Sequence, residues 1–368
     1  MIENSADDIA LENQTFPGKI AIITDHLSIS RDDYHSPDRL VAKYGYDKII
    51  HITWPEDFLG EQDIMRETLV KLAVDREIRA LIISQDLPGT NAAVDKFRDI
   101  RDDVFIVYSA IHEPPAEAVK RADLLFASNQ LKMASAMVHQ AKKQGAKVFV
   151  HYSFPRHMAV EISARRREVI RETCAAEGLK FIDALALDPT DEAGLKGAIG
   201  FILEDVPKLV AKHGEDTAFY CSNCHLQASL IKAVIDSHAI FPQPCCPSPF
   251  HGFPEALGID LEECYADLTL LISEACRIAA EKNMTDRLST WPVSTSMMFT
   301  NAGAEYAIKW IKGEVLKGYI DNLALEECID SYITEVVGES CNVNIISCKE
   351  GGETYENYKL VLMSYLDL

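Results

Sequence analysis

The sequence predicts an α/β protein built as two doubly wound lobes with parallel sheets, and three observations carry that prediction. Short β-branched runs are apolar at consecutive positions, as in strands buried on both faces of a parallel sheet. Segments with apolar residues three and four apart, the spacing of one helix face, alternate with those runs. Successive runs start about 20 to 36 residues apart, which leaves room for one crossover helix each time. A chain of 368 residues also exceeds the roughly 250 to 300 residues that a single core sustains, hence two lobes.

The expected strands are Ile20–Thr24, Ile49–Thr53, Ala80–Ser84, Val104–Tyr108, Leu124–Ala127, Lys147–Tyr152, Phe181–Leu185 and Thr217–Cys221. Gln62–Arg76, Leu131–Gln144, Val160–Glu177 and Leu226–Ser237 read as helices between them. Ser36-Pro37 opens a helix, and Gly145 and Gly178 each close one as left-handed caps before a strand. Pro114-Pro115 breaks the rhythm as a stiff connector and reads as the first crossing between lobes. The stretch Phe241–Phe253 packs Pro242, Pro244, Pro247 and Pro249 beside Cys245 and Cys246, so it is a rigid loop. After a long helix over Leu261–Lys282, Leu288–Met298 reads as extended and Ala302–Lys317 as a helix. The N-terminal lobe is then 1–115 plus 288–341, and the C-terminal lobe is 116–287. The tail 342–368, with alternating Tyr358, Leu360, Leu362 and Tyr365, reads as a closing strand.

Composition narrows function. Fifty-seven acidic against 36 basic side chains give a net charge of -21, which repels a phosphate backbone and argues against direct nucleic-acid binding. No run of some 18 apolar residues is present, so no transmembrane segment is expected. Residues 1–16 are acidic and polar, without the basic start and apolar core of a signal peptide, which points to a cytoplasmic location. An extracytoplasmic lipoprotein whose leader has been removed would read the same way. Ten cysteines scattered over so long a chain suit a reducing compartment. Walker, Gly-x-Gly-x-x-Gly, His-Glu-x-x-His and Gly-x-Ser-x-Gly patterns do not occur, so no cofactor is expected and an enzyme would have to work through dispersed residues.

The order of elements over roughly residues 18 to 320 resembles the type I periplasmic-binding-protein fold, shared with the effector-binding half of LacI-type repressors. Gly18-Lys19-Ile20-Ala21-Ile22-Ile23-Thr24-Asp25 resembles that family's first strand and ligand-facing turn. Gln140-Ala141-Lys142-Lys143-Gln144-Gly145-Ala146-Lys147-Val148 resembles the helix-to-strand entry of its second lobe. Phe219-Tyr220-Cys221-Ser222-Asn223-Cys224-His225 stands where the family has a strand ending in Asn-Asp. The chain is also similar to an uncharacterised bacterial family of this fold, labelled transcriptional regulators, in which the Cys-Cys-Pro-Ser-Pro loop occurs. The resemblance implies two lobes with a hinge, closing a cleft over a small polar or anionic ligand. A LacI-type headpiece is not expected, since only 18 residues precede the first strand, so a regulator would act through a partner or bind nucleic acid by a separate protein; a homodimer or a protein partner is the expected assembly.

Residues that follow the carboxyl ends of parallel strands are the ligand candidates. In the first lobe these are Asp25, His26 and Ser28, then Trp54, Gln85 and Asp86, and finally Ser109 with His112. Asp25 can accept from hydroxyls or amines, or cap a turn; Trp54 can stack on a ring, or pack in the core. In the second lobe Tyr152 ends the sixth strand and Arg156 follows it, and Arg156 could grip a carboxylate or phosphate with paired N–H bonds, or form a surface ion pair. Arg166 of the Arg165-Arg166-Arg167 run best fits the spacing at which sugar-binding relatives present an arginine. Asn223 matches the family's Asn or caps the following helix, while Cys224 replaces a carboxylate that often binds ligand hydroxyls. The expected function is therefore noncatalytic binding of a small polar or anionic molecule, as a sensor or a solute-binding protein. The alternative is an enzyme using His26, His112 or His157 as proton carriers and a cysteine as nucleophile.

Cys221-Ser222-Asn223-Cys224-His225 also fits a c-type haem attachment site and a Cys-x-x-Cys redox pair. Zinc could be drawn from Cys221, Cys224, Cys245 and Cys246, with His225 or His251 substituting, but adjacent cysteines are hard to aim at one tetrahedral ion. The expectation is no metal, and thiols packed under the proline-rich loop.

Overall fold

The computed structural model describes residues 15–261 and 267–368. The elements run β1 (Lys19–Thr24), α1 (Arg31–Tyr34), α2 (Asp38–Tyr44), β2 (Ile49–Thr53), α3 (Gln62–Val74), β3 (Ile78–Ile83), α4 (Thr90–Arg98), β4 (Phe105–Tyr108), α5 (Pro115–Ala118) and β5 (Leu124–Ser128). Next come α6 (Gln130–Lys143), β6 (Val148–Ser153), α7 (Pro155–Met158), α8 (Glu161–Glu177), β7 (Lys180–Leu185), α9 (Gly194–His213) and β8 (Thr217–Cys221). A 3-10 turn over Cys224–Leu226 leads into α10 (Gln227–Asp236), α11 (Phe253–Leu257), α12 (Leu268–Glu281) and β9 (Ser289–Thr290). The chain ends in α13 (Thr295–Ile311), α14 (Asn322–Val337), β10 (Val343–Glu350), β11 (Glu353–Met363) and β12 (Leu366–Asp367). All eight expected apolar runs are strands, β1 to β8. Gly145 and Gly178 end α6 and α8 with φ of 93° and 72°, as left-handed caps should.

The chain forms two compact units. The first holds residues up to Ala127, Thr295–Glu335 and Val343–Val361; the second holds Ser128–Ser294, Val336–Asn342 and Leu362–Leu368. In the first unit a seven-stranded sheet has the order β10-β11-β5-β4-β3-β1-β2. Its β1 to β5 pair in parallel, and Ile20, Ile22, Ile82, Ile83 and Val107 have no exposed surface. Burial on both faces is what an uninterrupted apolar run requires. Gly303 lets α13 lie against β4, since a Cβ there would stand 2.8 Å from Val107 Cγ1. The hairpin β10–β11 extends the sheet beyond β5 through Gly351-Gly352, both at positive φ as a two-residue turn demands.

In the second unit β7-β6-β8 form a parallel sheet. Single parallel bridges, Ala218 to Ile240 and Phe241 to Leu288, continue it toward β9, which pairs antiparallel with β12. Apolar clusters pack on both faces, one around Phe219, Ile202 and Leu230, the other around Phe149, Tyr220 and Ile170.

The division of the chain differs from the sequence expectation. Pro115 opens the short helix α5 instead of a connector, as proline at a first helical position does. The strand after it, β5, pairs with β4, so the first unit runs on to Ala127. Leu288–Ser294, expected in the first lobe, belongs to the second unit, and α13 starts at Thr295 instead of Ala302. Of the helix expected over Leu261–Lys282, residues 262–266 lie outside the described ones and the rest forms α12. The tail contributes a hairpin to the first unit and β12 to the second, so it is more than one closing strand.

Candidate functional site

The order β2-β1-β3-β4 makes β1 and β3 neighbours whose flanking strands lie on opposite sides. Such a reversal opens a crevice beyond the carboxyl ends of the two strands. The residues there are polar and interlocked. Asp33, on α1, has no exposed surface; its Oδ2 accepts from the Asp25 backbone N–H at 2.6 Å and from the Ser84 hydroxyl at 2.7 Å. Burial pushes the Asp33 carboxyl up to about 6, against the lowering effect of those hydrogen bonds. Burial, then the charge of Asp33, pushes Asp25 up to about 7. Asp25 Oδ1 is enclosed and has no hydrogen-bond partner among the described residues.

The expected residues His26, Ser28, Gln85 and Ser109 lie at the same strand ends. Gln85 Oε1 is 2.7 Å from His112 Nε2, and Ser28 Oγ donates to Glu56 Oε1 at 2.6 Å while lying 2.8 Å from His26 Nδ1. Ser109 is buried, its N–H bound to the Ile83 carbonyl at 2.8 Å. The structure brings Asp25 and Gln85 together around Asp33, a residue that sequence reasoning passed over. Its only signal is an acidic pair, Asp32-Asp33, in the turn after the first strand.

Three other candidates, Trp54, Tyr152 and Arg156, are engaged elsewhere, and a fourth, Asp86, is sealed from solvent. Trp54 is 1% exposed in the core with Met65 and Leu69, and its indole N–H donates to the Gln85 carbonyl at 3.2 Å, so it offers no face to a ring. Asp86 is fully enclosed with both carboxyl oxygens lacking partners among the described residues; burial and then the Glu113 charge push it up to about 8. Tyr152 is likewise in a core, stacked on Phe219, with its hydroxyl donating to Asp205 at 2.7 Å. Arg156 is held bidentately by Asp188, at 2.8 and 2.9 Å, so its fork is occupied by the chain's own carboxylate. That partner also accepts from the Thr190 N–H and hydroxyl.

The second sheet has its own reversal, between β6 and β8. Across it His157 Nδ1 lies 3.1 Å from Ser222 Oγ. Asn223 takes the capping role: its Oδ1 accepts the His225 N–H at 2.9 Å. Arg166 is the buried member of its arginine run, its guanidinium 5.6 Å from the Tyr220 ring centroid. Arg166 Nε and the Tyr220 hydroxyl have no hydrogen-bond partner among the described residues.

Beside Arg166 three cysteines and a histidine converge at the proline-rich loop. Tyr220 and Cys221 are consecutive on β8 and face opposite sides of the sheet, so Cys221 enters the apolar cluster around Phe219, where burial pushes its thiol up to about 12. A thiol buried and pushed up in this way is a poor nucleophile for Cys-x-x-Cys exchange. Cys224 instead meets the proline-rich loop: its Sγ is 3.2 Å from Cys245 Sγ and 3.9 Å from Cys246 Sγ. Cys245 and Cys246 Sγ are 3.9 Å apart, and Cys245 Sγ is 3.9 Å from His251 Nε2. The backbone bends at Cys245-Cys246, which turns two adjacent side chains toward one point. Gly252 at φ 82° brings His251 in, where a Cβ would stand 2.7 Å from Gln227 Cβ. Gln227 ties the parts together, accepting the Cys245 N–H and donating to the carbonyls of Cys221 and Asn223.

Residues 18–289 match the family described as "Protein of unknown function (DUF3798)". Two uncharacterized proteins of Treponema pallidum (strain Nichols) are similar in sequence. One is 34% identical over 176 residues, 46% of this chain and 80% of that one; the other is 30% identical over 200 residues, 54% and 91%. Among solved structures, a candidate transcriptional regulator from Clostridium difficile 630 has a TM-score of 0.84 at 21% identity, covering 96% of this chain and all of that one. A sugar ABC transporter from Actinomyces odontolyticus ATCC 17982 has a TM-score of 0.53 at 10% identity, over 81% and 84% of the two chains. The substrate-binding protein of a sugar ABC transport system from Bordetella parapertussis 12822 scores 0.51 at 10% identity, over 95% and 89%. These likenesses establish the type I periplasmic-binding fold that the sequence suggested. No helix among the described residues is long and apolar enough to cross a membrane.

Proposed function

The chain belongs to the DUF3798 family, and from that premise we propose that it binds a small polar solute without transforming it. The site is the crevice beyond β1 and β3 of the first unit. The observation that carries this reading is Asp25: an enclosed carboxyl at a strand reversal, with one oxygen lacking a partner among the described residues. Leaving a buried acceptor unpaired is costly, so a donor from a solute gains both a hydrogen bond and relief of that cost. Asp33, Ser84, Gln85 and His112 hold the surrounding frame.

The chemistry favours a donor-rich solute, hydroxylated or carrying an amine, over an anion. Asp25, Asp33 and Glu56 lie at these strand ends, and Arg156, the residue expected to grip an anion, is bound to Asp188. The fold supports the same reading, since two neighbours are named for sugar transport and one of them as a substrate-binding protein. In this reading the protein acts as a sensor or as a solute-binding protein.

The test is mass spectrometry of small molecules that copurify with the protein, followed by titration calorimetry of each compound found. A compound binding unchanged at one per chain, with affinity lost in Asp25→Asn, is the expected result. A compound converted to product, or bound equally well by Asp25→Asn, overturns the proposal.

A further inference from the structure

We propose that Cys224, Cys245, Cys246 and His251 form a four-ligand zinc site that fastens the proline-rich loop to the start of α10. The four donor atoms all lie within 4.8 Å of one another. A tetrahedral ion with metal–sulfur bonds of about 2.3 Å sets its sulfurs roughly 3.8 Å apart, and sulfur and imidazole nitrogen roughly 3.6 Å apart. The two sulfur–sulfur separations of 3.9 Å match the first figure, the Cys245–His251 separation of 3.9 Å is a little wider than the second, and the Cys224–Cys245 pair at 3.2 Å is tighter. A donor set this small encloses one ion. A multi-iron cluster, in which the thiolates reach different irons, needs them farther apart. Three thiolates and an imidazole in tetrahedral array select zinc among the common divalent ions.

The surroundings fit the charge and the geometry. Zinc with three thiolates and a neutral histidine carries one net negative charge. Arg166 is buried, has no carboxylate partner among the described residues, and lies over the ring of Tyr220, which packs in one cluster with Cys245. Gln227 holds the backbone of the ligand loops from both sides, the supporting role that orients metal ligands. Cys224 and Cys246 are exposed, which gives the ion a way in. With all four positions supplied by protein, the site is structural: it fixes residues 242–251 beside Asn223 without presenting an open position for chemistry.

The experiment uses the full chain, purified under reducing conditions and dialysed against zinc, with metal counted by inductively coupled plasma mass spectrometry. One zinc per chain is expected, with a fall in melting temperature on chelation. Cobalt substitution should give the intense visible bands of a tetrahedral thiolate site. Cys246→Ser, at an exposed position, and His251→Ala, at a half-buried one, should lose stoichiometric metal and melt like the chelated wild type. Because a variant can misfold, the wild type supplies a second readout: zinc should slow maleimide labelling of Cys224 and Cys246, and chelator should restore it. A reduced chain that takes up no zinc, labelling indifferent to zinc, or a Cys224–Cys245 disulfide in protein alkylated directly on cell lysis overturns the proposal.

Discussion

Replacing Asp25 by Asn should stabilise the free protein, and more so as pH rises. The Asp25 carboxyl is pushed up from 3.8 to about 7 by burial and then by Asp33. The folded state therefore holds its proton across a range in which the unfolded chain has lost it. Stability tied to that proton is complete below about pH 4 and drains away as pH climbs to about 7. A rise of this size corresponds to about 4 kcal/mol lost by pH 8, of which about 1.7 kcal/mol is already gone at pH 5. Asn carries no charge to bury, so its advantage over Asp should grow by about 2.5 kcal/mol between pH 5 and pH 8. Asp33, pushed up in the same direction to about 6, is present in both proteins and largely cancels from the difference. Urea denaturation of both proteins at the two pH values reads the quantity directly. A stability difference that stays constant from pH 5 to pH 8 would refute the burial of Asp25 as a charged group.

Three further outcomes are expected. Arg156→Ala should leave affinity for a copurified solute unchanged, since Asp188 occupies the guanidinium; calorimetry showing lost affinity would return Arg156 to the site. Gly303→Val should lower the urea midpoint by an amount worth about 1–3 kcal/mol, because its Cβ would meet Val107 Cγ1 at 2.8 Å. Trp54→Phe should cost about 1–3 kcal/mol of stability, measured the same way, by leaving the Gln85 carbonyl without its indole donor, with no direct loss of a solute contact.

The strands were legible because burial on both faces writes itself into consecutive residues: Ile20 to Ile23 are all enclosed, and their β-branched side chains and short length separate such a run from a buried helix like α13. Arg166, singled out by its resemblance to an arginine of sugar-binding relatives, is the member of its run that the helix turns inward. What escaped detection depends on partners distant in the chain. Whether Arg156 meets a solute or Asp188, 32 residues away, and whether Trp54 stacks or donates to Gln85, 31 residues away, is decided by tertiary placement. The cysteines show the same limit in sharper form. Their convergence needs a bend at Cys245-Cys246 and a left-handed Gly252, and both are backbone facts that residue identity only permits. Pro114-Pro115 misled because proline starts helices as readily as it stiffens linkers.

The path of the chain between the units constrains how this protein can be made and cut. It passes from one to the other at 127/128, 294/295, 335/336, 342/343 and 361/362. A nascent polypeptide thus cannot finish its first sheet until β10 and β11 have been synthesised, nearly the whole length after β1 began it. Early sheet edges must wait, open to wrong pairings, while the second unit is being assembled. Clipping the chain after Asn342 would strip strands from both units at once, so halves cut at a single point are poor proxies for either unit.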